Sequence, residues 1–342
     1  MNAKERVLTA FAHQEPDRVP VNYLANSGID QRLKEHFGLA SDDSEGLRQC
    51  LGVDFRHVWP PYVGPKLHED IPERGIKVDR WGIHRRWVEH GSGGYWDFCD
   101  FPLRDADEET VANWPMPDPD LFDYSVIPAQ CKEHKGYAMC FMVHGDLINE
   151  NGMLRGMDQA LMDLVVDDPA GLLLASRRLA IELEMIRRVL EAGNGSIDIL
   201  WIGEDLGTQD RPMVSPEIFE KHILPRKEKL VNLAKAYEAK VMIHCCGSSS
   251  WAFEDFIRIG IDAADTLQPE AKDMAPAYLK KTYGGRLAFH GSISTAGPVS
   301  FGTVAEVDEY CRNTLQIMMP GGGYCFAPTH ELQDNSPTEN VL

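Results

Sequence analysis

Beyond residue 137 the chain alternates short apolar runs with helical segments, and this alternation narrows the possible folds more than any other feature. The apolar runs are 137–143, 197–202, 241–244, 263–266, 287–289 and 324–327. Between them, helical spacing fills much of 147–192, broken at Asp167-Asp168-Pro169. Ser215 caps a further helix with Pro216 at its first position, and this helix runs to about 239. Helices follow at 249–259, 275–283 and 303–319. Strand, helix, strand, helix with short glycine-bearing connections predicts a parallel sheet with helices outside. Counting a first strand after the turn Pro16-Asp17-Arg18-Val19-Pro20-Val21, roughly eight strands predict a closed TIM (β/α)8 barrel over residues 1–342. A doubly wound open sheet is the alternative. No G-x-G-x-x-G follows the first strand, which counts against a dinucleotide fold.

The N-terminal part reads as additions to that barrel. Helical spacing covers 3–12, 29–37 and 44–51. Strand-like aromatic segments at 76–88 and 94–101 flank Gly91-Ser92-Gly93-Gly94 and predict an added β-hairpin. Its Trp81, Trp87, Tyr95, Trp96 and Phe98 form an interface or pack on the barrel. A short helix spans 107–114 and stops at Pro115 and Pro117.

Charge limits the partners. A net charge of −19 argues against a nucleic-acid surface and against anionic membranes. No run of 18 apolar residues is present, and the first residues lack a signal-peptide apolar core, so the expected location is cytoplasmic. The eight cysteines are irregularly spaced and read as reduced, buried thiols, with Cys246 set apart.

A parallel barrel keeps its active site at the carboxyl ends of the strands. Those ends carry Gly203-Glu204-Asp205-Leu206-Gly207, His244-Cys245-Cys246-Gly247, Leu267-Gln268-Pro269-Glu270, His290-Gly291 and Pro328-Thr329-His330-Glu331. His244 and Cys246, two apart at the end of a strand, point the same way and suit a borderline metal such as zinc. The alternatives are a core histidine and an inert thiol. His330 is a third ligand or a loop histidine bonded to a carbonyl. Glu204 and Asp205 are candidates for general acid, base or further ligand, or they cap the loop. Gln268 and His290 are candidate substrate-binding residues, His290 as a pocket hydrogen-bond donor.

The whole chain resembles the uroporphyrinogen decarboxylase superfamily, in its branch of zinc-dependent, cobalamin-linked methyltransferases. The matching pieces run in order. They are Glu5-Arg6-Val7-Leu8-Thr9-Ala10, Pro16-Asp17-Arg18-Val19-Pro20, Leu154-Arg155-Gly156 and Ile202-Gly203-Glu204-Asp205-Leu206-Gly207-Thr208-Gln209. Ser215-Pro216-Glu217, Pro225-Arg226, His244-Cys245-Cys246-Gly247 and Gln268-Pro269-Glu270 follow. The last are Gly321-Gly322-Gly323-Tyr324, Ala327-Pro328-Thr329-His330 and Pro337-Thr338-Glu339-Asn340.

The resemblance implies a TIM barrel with a deep cavity at its top. It implies zinc held by His244, Cys246 and His330, with Glu204 as a fourth, exchangeable ligand. Thiol-methylating relatives place a cysteine where this chain has His330. The implied partners are a small-molecule methyl donor or acceptor and a corrinoid protein that carries the cobalamin. A metal-free decarboxylase is the second reading. True decarboxylases of this superfamily carry an arginine-rich motif after the first strand, whereas here Asn22-Tyr23-Leu24-Ala25-Asn26-Ser27-Gly28 follows it. A non-catalytic barrel binding a small ligand is the third.

Overall fold

The computed structural model describes residues 1–90 and 93–342. Ten strands are assigned: β1 Phe55–His57, β2 Ile76–Val78, β3 His84–His90, β4 Gly93–Phe98, β5 Ala138–Met142, β6 Ile199–Gly203, β7 Lys240–His244, β8 Ala263–Thr266, β9 Ala288–Ile293 and β10 Tyr324–Pro328. Seven of them form one parallel sheet in the order β1-β5-β6-β7-β8-β9-β10. The eighth stave is the extended segment 20–22. Val21 bridges Phe326 of β10 in parallel. On its other side, the Asp54 N–H, just before β1, donates to the Val21 carbonyl at 2.8 Å. The sheet thereby meets its own first strand, as in a barrel and not as in a doubly wound sheet.

Two-residue periodicity sorts the strand side chains into two layers. Phe55, Ala138, Cys140, Ile199, Trp201, Met242, Ala263, Ala288 and Cys325 share the inner cluster. Val7, Ala10 and Phe11 of the helix Ala3–Phe11 join them and plug the barrel floor. The alternate residues, among them Phe141, Leu200, Ile202, Val241, Ile243 and Phe289, pack outward against the helices. Burial on both faces explains why these strands read as continuous apolar runs.

Three sequence expectations are corrected. Strand β1 was not anticipated, because its three residues include Arg56 and His57 and form no apolar run. Strand β9 extends to Ile293, so His290 lies inside the strand rather than after it. The helix expected from 216 to about 239 contains a π turn at Phe219–Ile223 before Leu224–Ala236. Pro225 lacks an N–H and crowds the preceding turn, and a widened turn is a usual way to accommodate that.

The added sheet is β2-β3-β4, antiparallel, with Trp87 opposite Trp96. Trp81 and Phe98 pack against Ile83, Leu103 and Leu154, while Trp87 and Tyr95 are exposed. Of the glycine-serine run expected at the β3–β4 turn, residues 91 and 92 lie outside the described residues.

Candidate metal centre at the barrel mouth

The inner register that begins with Met242, Ala263 and Ala288 continues to His244, Asp265 and His290, so all three face the lumen near the carboxyl end. One ligand atom each from His244, Cys246 and His330 lies within 4.8 Å of the other two. His244 Nε2 is 3.3 Å from Cys246 Sγ. The His244 and His330 rings meet edge to face at 5.7 Å between centroids. Zinc bonds of about 2.0 Å to nitrogen and 2.3 Å to sulfur, at a tetrahedral angle, put two ligand atoms roughly 3.5 Å apart. The donor types and the His244–Cys246 separation therefore fit zinc, with a position left open.

The loop bearing Cys246 is fixed by backbone packing. Gly247 has φ +71°, and a Cβ there would run into the Gly207 carbonyl. A Cβ on Gly207 would in turn run into the Ser248 backbone. The loops after β6 and β7 thus touch main chain to main chain, an approach only glycine permits. Asp205 Oδ1 accepts the Cys246 N–H at 2.7 Å, and its Oδ2 accepts from Asn149 Nδ2 at 2.9 Å. Gln268 Oε1 faces the Gly247 N–H at 3.3 Å, so this predicted substrate-binding side chain meets the ligand loop.

Asp265, not singled out by sequence, is the hub of the wall. Its Oδ2 lies 2.9 Å from His244 Nδ1 and its Oδ1 lies 2.6 Å from His290 Nδ1. Burial opposes its charge, but the two imidazoles outweigh this and hold the carboxyl well below the usual carboxylate range. Burial likewise opposes a charged His244, yet Asp265 and Cys246 raise it well above an ordinary histidine. Burial pushes the Cys246 thiol up, and His244 offsets part of that rise. The next residue, Thr266, is β-branched at φ +78°, and its hydroxyl donates to the Cys245 carbonyl at 2.7 Å. Such backbone strain persists only where surrounding contacts over-determine it.

Two predicted residues occupy different roles in this geometry. Glu204 is fully buried, accepts the N–H groups of Leu147 and Ile148, and pairs with the equally buried Lys227 at 2.6 Å. It anchors the N-terminus of the helix Leu147–Arg155, with its carboxylate oxygens engaged by main chain and by Lys227. His290 is fully buried, and both ring nitrogens face protein partners, Asp265 and Asn22, so it offers no face to a substrate.

His244 and His330 line a cavity of about 240 Å³. Leu24, Met142 and Trp201 give it apolar walls, and His144, Thr329 and Glu331 also line it. No lysine or arginine is among its described lining residues. His144 and His57 had gone unremarked in the sequence. His144 stands two residues beyond β5 and is exposed. His57 ends β1, stacks on Trp201 and is exposed.

The fold and this donor set define a barrel with a candidate metal site beside its cavity. Residues 172–342 match the family model for uroporphyrinogen decarboxylase (URO-D), and the chain belongs to that family. A solved methyltransferase from Methanosarcina mazei shares the fold, with a TM-score of 0.64 at 16% identity over 100% of this chain and 96% of that one. A B12-independent methionine synthase from Shewanella sp. W3-18-1 aligns with a TM-score of 0.43 at 12% identity, over 96% of this chain and 92% of the other. No curated protein sequence matches the chain.

Proposed function

We propose that this chain is a zinc-dependent methyltransferase that passes a methyl group between a small substrate and cobalamin carried by a partner corrinoid protein. The observation that carries the reading is the convergence of His244, Cys246 and His330 on one point at the cavity of a URO-D family barrel. The methyltransferase named among its fold neighbours supports it. Zinc bound there would act as a Lewis acid, polarising a methylated heteroatom or lowering the pKa of an acceptor thiol or hydroxyl. The chain's own residues do the rest. Leu24, Met142 and Trp201 grip the apolar body of the substrate and exclude water. Asp205, a quarter exposed beside the ligand loop and 3.9 Å from His244 Nε2, is placed to take or return a proton.

A tetrapyrrole decarboxylase must neutralise several carboxylates, and the absence of lysine and arginine from the described cavity lining counts against that alternative. The test is metal analysis of the purified chain, with methyl transfer assayed against a corrinoid protein from the same source. About one zinc per chain is expected from the single three-residue ligand set. His244→Ala should lose both metal and activity. A zinc-free parent, with metal content and activity unchanged by His244→Ala, sinks the reading.

A further inference from the structure

The barrel wall behind the three ligands contains a hydrogen-bond chain whose proton positions can be read from one end. Asn22 Oδ1 accepts the Tyr23 N–H at 2.9 Å, which fixes the orientation of the amide. Asn22 Nδ2, a donor only, therefore faces His290 Nε2 at 3.0 Å. That nitrogen must accept, so the proton of His290 sits on Nδ1. Nδ1 in turn donates to Asp265 Oδ1 at 2.6 Å. The second carboxylate oxygen accepts from His244 Nδ1 at 2.9 Å, so Nε2, which points toward Cys246 and His330, is the nitrogen at which a metal would replace a proton.

We propose that Asp265, held by His290, which Asn22 orients in turn, is the positioning residue that presents His244 to the metal through Nε2 and supplies the site's second buried negative charge. This rests on the zinc reading above. Together, the Asp265 carboxylate and a Cys246 thiolate balance a dication, with two neutral imidazoles completing the set. A buried carboxylate beside Phe55 and Trp201, both packed on His290, is costly unless a cation stands near it. An acid in the otherwise apolar inner layer is explained by a metal one imidazole away.

The full-length protein tests this through metal binding rather than turnover. Zinc affinity is measured by competition with a chromophoric chelator, and cobalt(II) replaces zinc for visible spectroscopy. Asp265→Asn turns one acceptor into a donor, so affinity should fall about 10- to 100-fold and the cobalt spectrum should shift. His290→Gln, which leaves Asp265 in place but loosens it, should give a smaller fall in the same direction. Histidine-selective ¹⁵N labelling of the metal-loaded parent needs no variant and should show His290 neutral with its proton on Nδ1. A parent that takes up no metal overturns both this inference and the zinc reading. A parent that binds zinc while Asp265→Asn binds it equally well, with an unchanged cobalt spectrum, overturns this inference alone. So does a His290 that is charged or protonated on Nε2.

Discussion

Among single residues, the buried acids behind the mouth show how position decides role. Asp146 caps the helix Leu147–Arg155, its Oδ1 accepting the Asn149 N–H at 2.8 Å. Burial, with the charge of Glu204 beside it, raises its pKa well above the ordinary carboxyl value. The native protein therefore holds this proton more tightly than the unfolded chain does. The resulting stability is complete below the unfolded pKa and is lost as pH rises through the folded one. Asparagine caps a helix as well as aspartate does and carries no proton to lose. Asp146→Asn should therefore leave the fold intact and flatten the fall in unfolding free energy as pH rises above the ordinary carboxyl range. Glu182, raised by burial and by Glu150, retains a residual slope. Urea titrations at each pH measure the difference, and an unchanged slope would mean that Asp146 is ionised in the native state.

At the level of elements, the mouth depends on how two loops meet. Gly247→Ala forces a Cβ against the Gly207 carbonyl at φ +71°, so it should cost more than about 2 kcal/mol and weaken metal binding. Gly38, at φ +67° after the helix Ser27–Phe37, has nothing within 4 Å, and Gly38→Ala should cost only about 1 kcal/mol of backbone strain. Paired denaturation curves and metal titrations check this, and equal costs would refute the backbone-contact argument. Element geometry also explains what the sequence made legible. His244 and Cys246 stand two apart at the end of an apolar run, so strand position alone put both in the lumen. His330 followed from its place just after the last strand, β10. Asp265 was hidden inside a four-residue strand, where an ionisable residue at an inward register was the available signal. Ile199, Trp201 and Gly203 share one parity, which leaves Glu204 facing outward and Asp205 facing inward. The barrel itself was legible from alternation, except for β1, whose residues carry no apolar run.

For the whole molecule, charge and cavity chemistry point to one kind of substrate. The chain carries −19, and acidic side chains meet the mouth at Asp205, Asp265 and Glu331, with no lysine or arginine among the described residues lining the cavity. A bound dication would be balanced by Asp265 and Cys246, leaving Asp205 and Glu331 uncompensated. One such carboxylate about 8 Å from a ligand anion, at an effective dielectric near 20, contributes roughly 2 kcal/mol of repulsion. That exceeds a tenfold change in affinity. Three small thiols of similar length separate the effect from zinc–sulfur bonding: 2-mercaptoethanol (neutral), cysteamine (cationic) and 3-mercaptopropionate (anionic). Titrated into the cobalt-loaded protein and followed by the sulfur-to-metal band, the anionic thiol should bind at least tenfold more weakly than the neutral one, by the repulsion just given. Added salt should narrow the gap, because the mouth is open enough for screening to reach it. The cationic thiol should bind at least as well as the neutral one. Equal or tighter binding of 3-mercaptopropionate at low salt would show that the acidic rim does not select the ligand, and would reopen anionic acceptors as substrates.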